Sequence, residues 1–97
     1  MPAYVFFDIL EIVDQQKMEE YGSQIGPTVE SYGGQYLVRG GPLNVVEGDW
    51  RPGIPVIIEF PSLEKAYQWY ESEDYKKLRA LRAGAAKLNA VFIEGVK

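Results

Sequence analysis

The chain has 97 residues, 46% of them hydrophobic and 25% charged, with a net charge of −4. That allows one modest core, and the negative balance does not favour nonspecific binding to nucleic acid or anionic membranes. There is no cysteine and no histidine, which excludes disulfides, thiol chemistry, histidine-ligated zinc or haem and a Ser-His-Asp triad within the chain.

Ala3 to Glu11 is rich in Val, Ile, Phe and Tyr and reads as a strand. Val5, Phe7 and Ile9 form one row; Tyr4, Phe6, Asp8 and Leu10 form the other. Both rows are largely apolar, so both sides of this strand are expected to be covered. Asp14 is placed to cap a helix. The stripe Met18, Tyr21, Gly22, Ile25, Val29 and Tyr32 follows at helical spacing, and Gly33 suits the left-handed stop. Pro27 lies inside this helix and predicts a kink near Ser23 or a split.

Gln35 to Arg39 is the second strand. Gly40-Gly41-Pro42 bends the chain, and Leu43 to Glu47 is read as a continuation of that strand beyond a bulge. Gly48 to Gly53 is loop chemistry. The third strand, Pro55 to Phe60, alternates Val56, Ile58 and Phe60 against Ile57 and Glu59. Ser62 caps a second helix with Leu63, Ala66, Tyr67 and Tyr70 on one side. Ser72 caps a third helical piece with the stripe Tyr75, Leu78 and Leu81, which ends at Ala83-Gly84-Ala85. Leu88 to Glu94 is the last strand.

The order β-α-β-β-α-β over residues 1–97, with no linker or repeat, predicts a single α+β domain. Its expected form is a ferredoxin-like, four-stranded antiparallel sheet with the helices on one face. Strand parity puts Val5, Phe7, Ile9, Tyr36, Val38, Val56, Ile58 and Phe60 under the helices. It leaves Tyr4, Phe6, Leu37 and Ile57 on the opposite face, with Asp8, Arg39 and Glu59. So much apolar surface predicts a homodimer paired through the helix-free face. No apolar run reaches the roughly 18 residues that a spanning helix needs. Met1-Pro2-Ala3-Tyr4 lacks the basic start of a signal peptide, so a cytoplasmic location is expected.

Several residues bear on chemistry. Arg39 can grip a carboxylate or phosphate through its planar fork, or pair structurally with Asp8 or Glu59. Asp8 and Glu59 are the candidate catalytic residues, because two neighbouring acids raise one another's pKa and can yield a general acid or base. They serve equally as partners of Arg39 or of a dimer seam. Glu47 and Trp50 flank a tight loop that lines a ligand mouth, covers a core edge or touches the partner subunit. Of the adjacent Trp69 and Tyr70, only one can enter the core. Ser72 reads first as a cap. With Tyr32 and Tyr36, the group Tyr70, Ser72 and Tyr75 could line a cleft between helices and sheet, and Arg82 either reaches that cleft or solvates the helix. The basic residues Lys76, Lys77, Arg79, Arg82 and Lys87 form either a solvated helix face or a phosphate patch. Neither glycine pair has phosphate-loop spacing, and no loop resembles a calcium site; no metal or cofactor is expected.

Tyr36-Leu37-Val38-Arg39-Gly40-Gly41, Glu47-Gly48-Asp49-Trp50, Ile58-Glu59-Phe60-Pro61-Ser62 and Trp69-Tyr70 with Ser72 resemble the domain-of-unknown-function 1330 family over nearly the whole chain. The resemblance implies a ferredoxin-like fold in the dimeric α/β-barrel superfamily and no assigned reaction. That superfamily includes cofactor-free monooxygenases, muconolactone-isomerase-like enzymes and haem-dependent chlorite dismutases; a chain without histidine does not suit the haem branch. Gly53-Ile54-Pro55 departs from the family, whose members often carry a basic residue there. The sequence therefore leaves two readings open. One is a binder of a small anionic or aromatic molecule, possible in turn as a cofactor-free oxygenase or isomerase. The other is a non-catalytic binding or dimerisation module.

Overall fold

The computed structural model describes all residues from Met1 to Lys97. Its strands are β1 (Ala3–Ile12), β2 (Gln35–Arg39), β3 (Ile54–Phe60) and β4 (Ala86–Glu94), and its helices are α1 (Gln15–Ser31), α2 (Leu63–Tyr70) and α3 (Glu73–Arg82). The sheet order is β2-β3-β1-β4 and every pairing is antiparallel. This is the ferredoxin-like arrangement, with the second helical region divided in two.

Each helix starts where a short polar side chain can accept from a free amide of the first turn. Asp14 accepts from the Lys17 amide, Ser62 from that of Lys65 and Ser72 from that of Tyr75. Gly33, at φ 78°, supplies the left-handed residue after α1. Pro27 does not split α1, which runs unbroken to Ser31. Pro27 and Ser23 both sit on the exposed side, so water can hydrate the carbonyl that the missing amide leaves free.

The core forms where β1 and β3 meet the helices. Ala3, Val5 and Phe7 of β1 and Ile58 and Phe60 of β3 pack against Tyr21, Ile25 and Val29 of α1, with Ala66, Trp69, Tyr75 and Leu78 from the other helices. Trp69 is the member of its pair that enters, and it is fully buried. Its ring lies 5.2 Å from that of Phe60 and 4.1 Å from that of Tyr75, while Nε1–H donates to Thr28 Oγ1. This corrects the expected face of α2: Tyr67 is more than half exposed, because burying Trp69 turns position 67 outward.

Two irregularities break the strand alternation. In β1 the register against β4 shifts between Ile9 and Glu11. In β2 it shifts between Tyr36 and Val38: Tyr36 faces Ile58, Val38 faces Ile57 and Arg39 faces Val56. The extra residue in each strand turns the residues beyond it to the other side. Val38 therefore joins the helix-free face, contrary to its expected place in the core. Residues 41 to 53 form no strand, so the expected continuation through Leu43 to Glu47 is absent. Gly40 donates to the Pro55 carbonyl at one end of this long connection, and Gly53 anchors the other.

The helix-free face carries Phe6, Leu37, Ile57, Val91 and Ile93, of which Leu37, Val91 and Ile93 are about half exposed. No helix of the structure is long and apolar enough to cross a membrane.

Candidate functional site

A cavity of about 380 Å³ opens between α1 and the sheet, within the size range of small-molecule sites. Met18, Tyr21 and Ile25 form its helical wall, at the inward positions of the α1 stripe. Phe7, Val56 and Leu88 form its floor. The β1 bulge is the reason that Ile9 and Ile12, three apart, both line the same space. Gln15 and Glu19 stand at the first turns of α1, along its edge.

The β2 bulge does the same for Tyr36 and Arg39, and this sets the chemistry of the site. Regular alternation would send Arg39 to the face opposite Tyr36. Instead both line the cavity, with the guanidinium carbon 4.1 Å from the Tyr36 ring centre, a cation–π geometry. The expected placement of Arg39 beside Asp8 and Glu59 is thus corrected. The ion pairs of the structure are Lys76–Glu71, Arg79–Glu71 and Lys87–Glu11, and Arg39 is in none of them. Burial pushes the Tyr36 hydroxyl above its ordinary pKa, and Arg39 beside it pulls the other way without cancelling the effect.

Tyr21 of this wall also joins a polar cluster with Tyr75 and Arg82, which do not line the cavity. The Tyr21 and Tyr75 hydroxyls are 2.6 Å apart, and Arg82 Nε approaches the Tyr75 hydroxyl at 3.5 Å. Burial first, and the neighbouring Tyr75 second, hold the Tyr21 hydroxyl far above the usual tyrosine range. Burial opposes the Arg82 charge, but the facing hydroxyls of Tyr75 and Tyr21 outweigh it and raise its pKa. The sequence reading holds Tyr21 as a member of an apolar stripe and not as a site residue. Nothing in that pattern marks its hydroxyl as half of a buried pair contributed by two helices.

Asp8 and Glu59 are not a carboxylate pair. Asp8 lies opposite Pro55 and Glu59 opposite Tyr4, so four residues of strand separate them, about 13 Å at the usual rise. Asp8 is only 4% exposed, and its Oδ1 accepts from the Gly53 amide at 2.7 Å. Glu59 Oε1 accepts from Gln35 Nε2 across the β2–β3 pairing. The glycine at 53 is sterically required, since a Cβ there would collide with the Ile9 carbonyl beside the β1 bulge. Asp8 thus ties down the end of the long loop.

Trp50 is 65% exposed and packs edge-on against Phe6 at 6.1 Å. Together with Asp8, Asn89 and Val91 they line a shallow hollow of about 170 Å³ on the helix-free face, away from Arg39. Glu47 is exposed in the same loop. Tyr70 packs on Trp69, Tyr75 and Phe92, with the Arg79 guanidinium 4.2 Å above its ring. Ser72 Oγ donates to the Trp69 carbonyl while capping α3. None of these four lines the cavity. The basic run of α3 also divides: Arg82 turns toward the tyrosines, while Lys76 and Arg79 meet Glu71. No three acidic side chains converge as a metal site would require.

With this geometry in view, comparison with known proteins places the chain. A family model described as a domain of unknown function, DUF1330, matches residues 2–96. No curated protein matches the chain. Among solved structures, one similar protein is a protein of unknown function from Rhodopseudomonas palustris, 18% identical, with a TM-score of 0.76 over 99% of this chain and 83% of that one. Another is a putative antibiotic biosynthesis monooxygenase from Nitrosomonas europaea, 14% identical, with a TM-score of 0.54 over 100% of both chains. A third, from Bacteroides fragilis, is a dimeric protein of unknown function with a ferredoxin-like fold. It is 15% identical, with a TM-score of 0.50 over 97% of this chain and 94% of that one. At these identities the likeness is one of fold.

Proposed function

Because the chain belongs to the DUF1330 family, whose description assigns no reaction, we propose its function from its own site: the α1–sheet cavity binds a small, flat, anionic organic molecule. The observation that supports this reading is the Arg39–Tyr36 pair at the wall of a mainly apolar cavity, whose edge also carries Gln15 and Glu19. Apolar walls with a few convergent polar groups are what a small-molecule site requires. Arg39 is free of carboxylate partners and supplies the charge, and its planar fork suits a carboxylate.

The protein acts as a cytoplasmic homodimer joined through the helix-free face. Half-exposed Leu37, Val91 and Ile93 on that face support this assembly, as does the dimeric state of the similar Bacteroides protein. In an oxygenase, the reading suggested by the name of the Nitrosomonas protein, the substrate itself would supply the electrons and the cavity tyrosines would manage the protons. The non-catalytic reading has its own support: Asp8 and Glu59, the acids expected to do such work, lie away from the cavity.

The test is native mass spectrometry of freshly purified protein, followed by calorimetric titration with 2-naphthoate. A dimer that binds the carboxylate at micromolar to millimolar strength, and loses at least tenfold in Arg39→Ala while remaining a dimer, is the expected result. Equal affinity in the variant removes Arg39 from the site. A monomer refutes the assembly.

A further inference from the structure

We propose that Tyr21 is a hydrogen-bond donor aimed into the cavity, its proton kept free by the Tyr75–Arg82 pair behind it, and that the molecule bound there presents a phenolate or enolate oxygen to it. The proposal deepens the cavity reading above and rests on it. A ligand gripped by Arg39 at a carboxylate would then be read a second time, at an oxygen that bears charge.

Counting protons sets the direction. Each tyrosine hydroxyl has one proton to give and can accept twice, whereas arginine only donates. The Tyr21–Tyr75 contact at 2.6 Å uses one of the two protons, and Arg82 can use neither. One hydroxyl proton is therefore left over. Tyr75 is fully buried and does not line the cavity. If its proton were the spare one, it would be an orphan donor in the interior, which folded proteins avoid. Tyr21 does line the cavity. The satisfied arrangement has Arg82 donating to Tyr75, Tyr75 donating to Tyr21, and Tyr21 donating outward.

That chain begins at a permanent positive charge, so each link polarises the next. Its end is a donor suited to an oxygen carrying negative charge. Tyr75 and Arg82 are positioning residues in this scheme; Tyr21 alone would touch the ligand.

The experiment uses 4-nitrophenol, whose phenolate absorbs visible light, titrated with pH in the presence of saturating protein. A charge-assisted hydrogen bond should lower the pKa of the bound probe by about one to two pH units. Tyr21→Phe should return most of that change, and Arg82→Gln a part of it, with thermal unfolding confirming that each variant folds. If Tyr21→Phe does not fold, Arg82→Gln carries the test, because Arg82 is only part-buried. Unchanged probe titration in Tyr21→Phe, with Arg39-dependent binding of 2-naphthoate intact, overturns the donor assignment and leaves the cavity reading standing. A Tyr21-dependent change without naphthoate binding supports the donor and removes Arg39's role. Failure of both probes to bind overturns both.

Discussion

The proton order across the Tyr21–Tyr75 contact has a thermodynamic consequence that needs no ligand. Tyr21→Phe leaves the Tyr75 hydroxyl, which is fully buried, without its acceptor. An orphaned buried donor costs roughly 1–3 kcal/mol. Tyr75→Phe leaves the Tyr21 hydroxyl able to meet cavity water, and Arg82 is part-buried, so its cost is that of an ordinary hydrogen bond, about 0.5–1.5 kcal/mol. The double variant removes both partners, and its cost should fall below the sum of the singles by roughly 1 kcal/mol. For a domain of this length the unfolding entropy is about 0.2 kcal/mol per kelvin, so 1 kcal/mol corresponds to a Tm shift of about 5 °C. Urea unfolding of the wild type, both single variants and the double variant measures all four corners. Additive costs, with Tyr75→Phe at least as damaging as Tyr21→Phe, would refute the proton order.

Four further outcomes are expected. Gly53→Ala drives a methyl group into the β1 backbone and should cost about 1–3 kcal/mol, seen as a lower urea midpoint. Asp8→Ala removes the charge-assisted anchor of the same loop and should cost roughly 1.5–3 kcal/mol, less than additively with Gly53→Ala because the two share one contact. Trp69→Ala empties the centre of the core and should cost about 3–5 kcal/mol, seen as a large drop in the urea midpoint. Finally, Tyr21 and Tyr36 hold pKa values above the ordinary 10.0. Above pH 10 the unfolded chain gives up protons that the folded one retains, so stability falls as pH rises. The slope is up to about 1.4 kcal/mol per pH unit for Tyr21 and smaller for the more exposed Tyr36, which solvent screens. Denaturation between pH 9 and 11 should show Tyr21→Phe with a shallower decline.

Much of the architecture was readable because local signals agreed with one another. Asp14, Ser62 and Ser72 each sit one residue before a helix and each makes the expected capping bond. The odd residues of β1 face the helices as far as Ile9. The failures share a cause, which is that alternation carries no mark for an inserted residue. Tyr36-Leu37-Val38-Arg39 reads as a regular strand, and only its partner's register reveals that two residues face Ile57. That single irregularity moved Arg39 from one side of the sheet to the other. The place of Trp50 was left open for a related reason: nothing in the sequence says over which face the long loop folds. The buried pairing of the Tyr21 hydroxyl was not legible because an apolar stripe describes where a ring goes and is silent on its hydroxyl.

The bulges also separate two kinds of constraint that strands usually combine. In a regular strand a residue lining a ligand space belongs to the same row as its core neighbours, and altering it disturbs the packing of that row. Here Ile12 and Arg39 lie beyond the inserted residues, at strand ends where the core row has already finished. Such positions can be exchanged for other charges, sizes or shapes while the interior pattern of Val5, Phe7 and Ile58 stays whole. The scaffold is therefore open to retooling, and a library built at positions 12 and 39 would sample new ligand preferences on an undamaged fold.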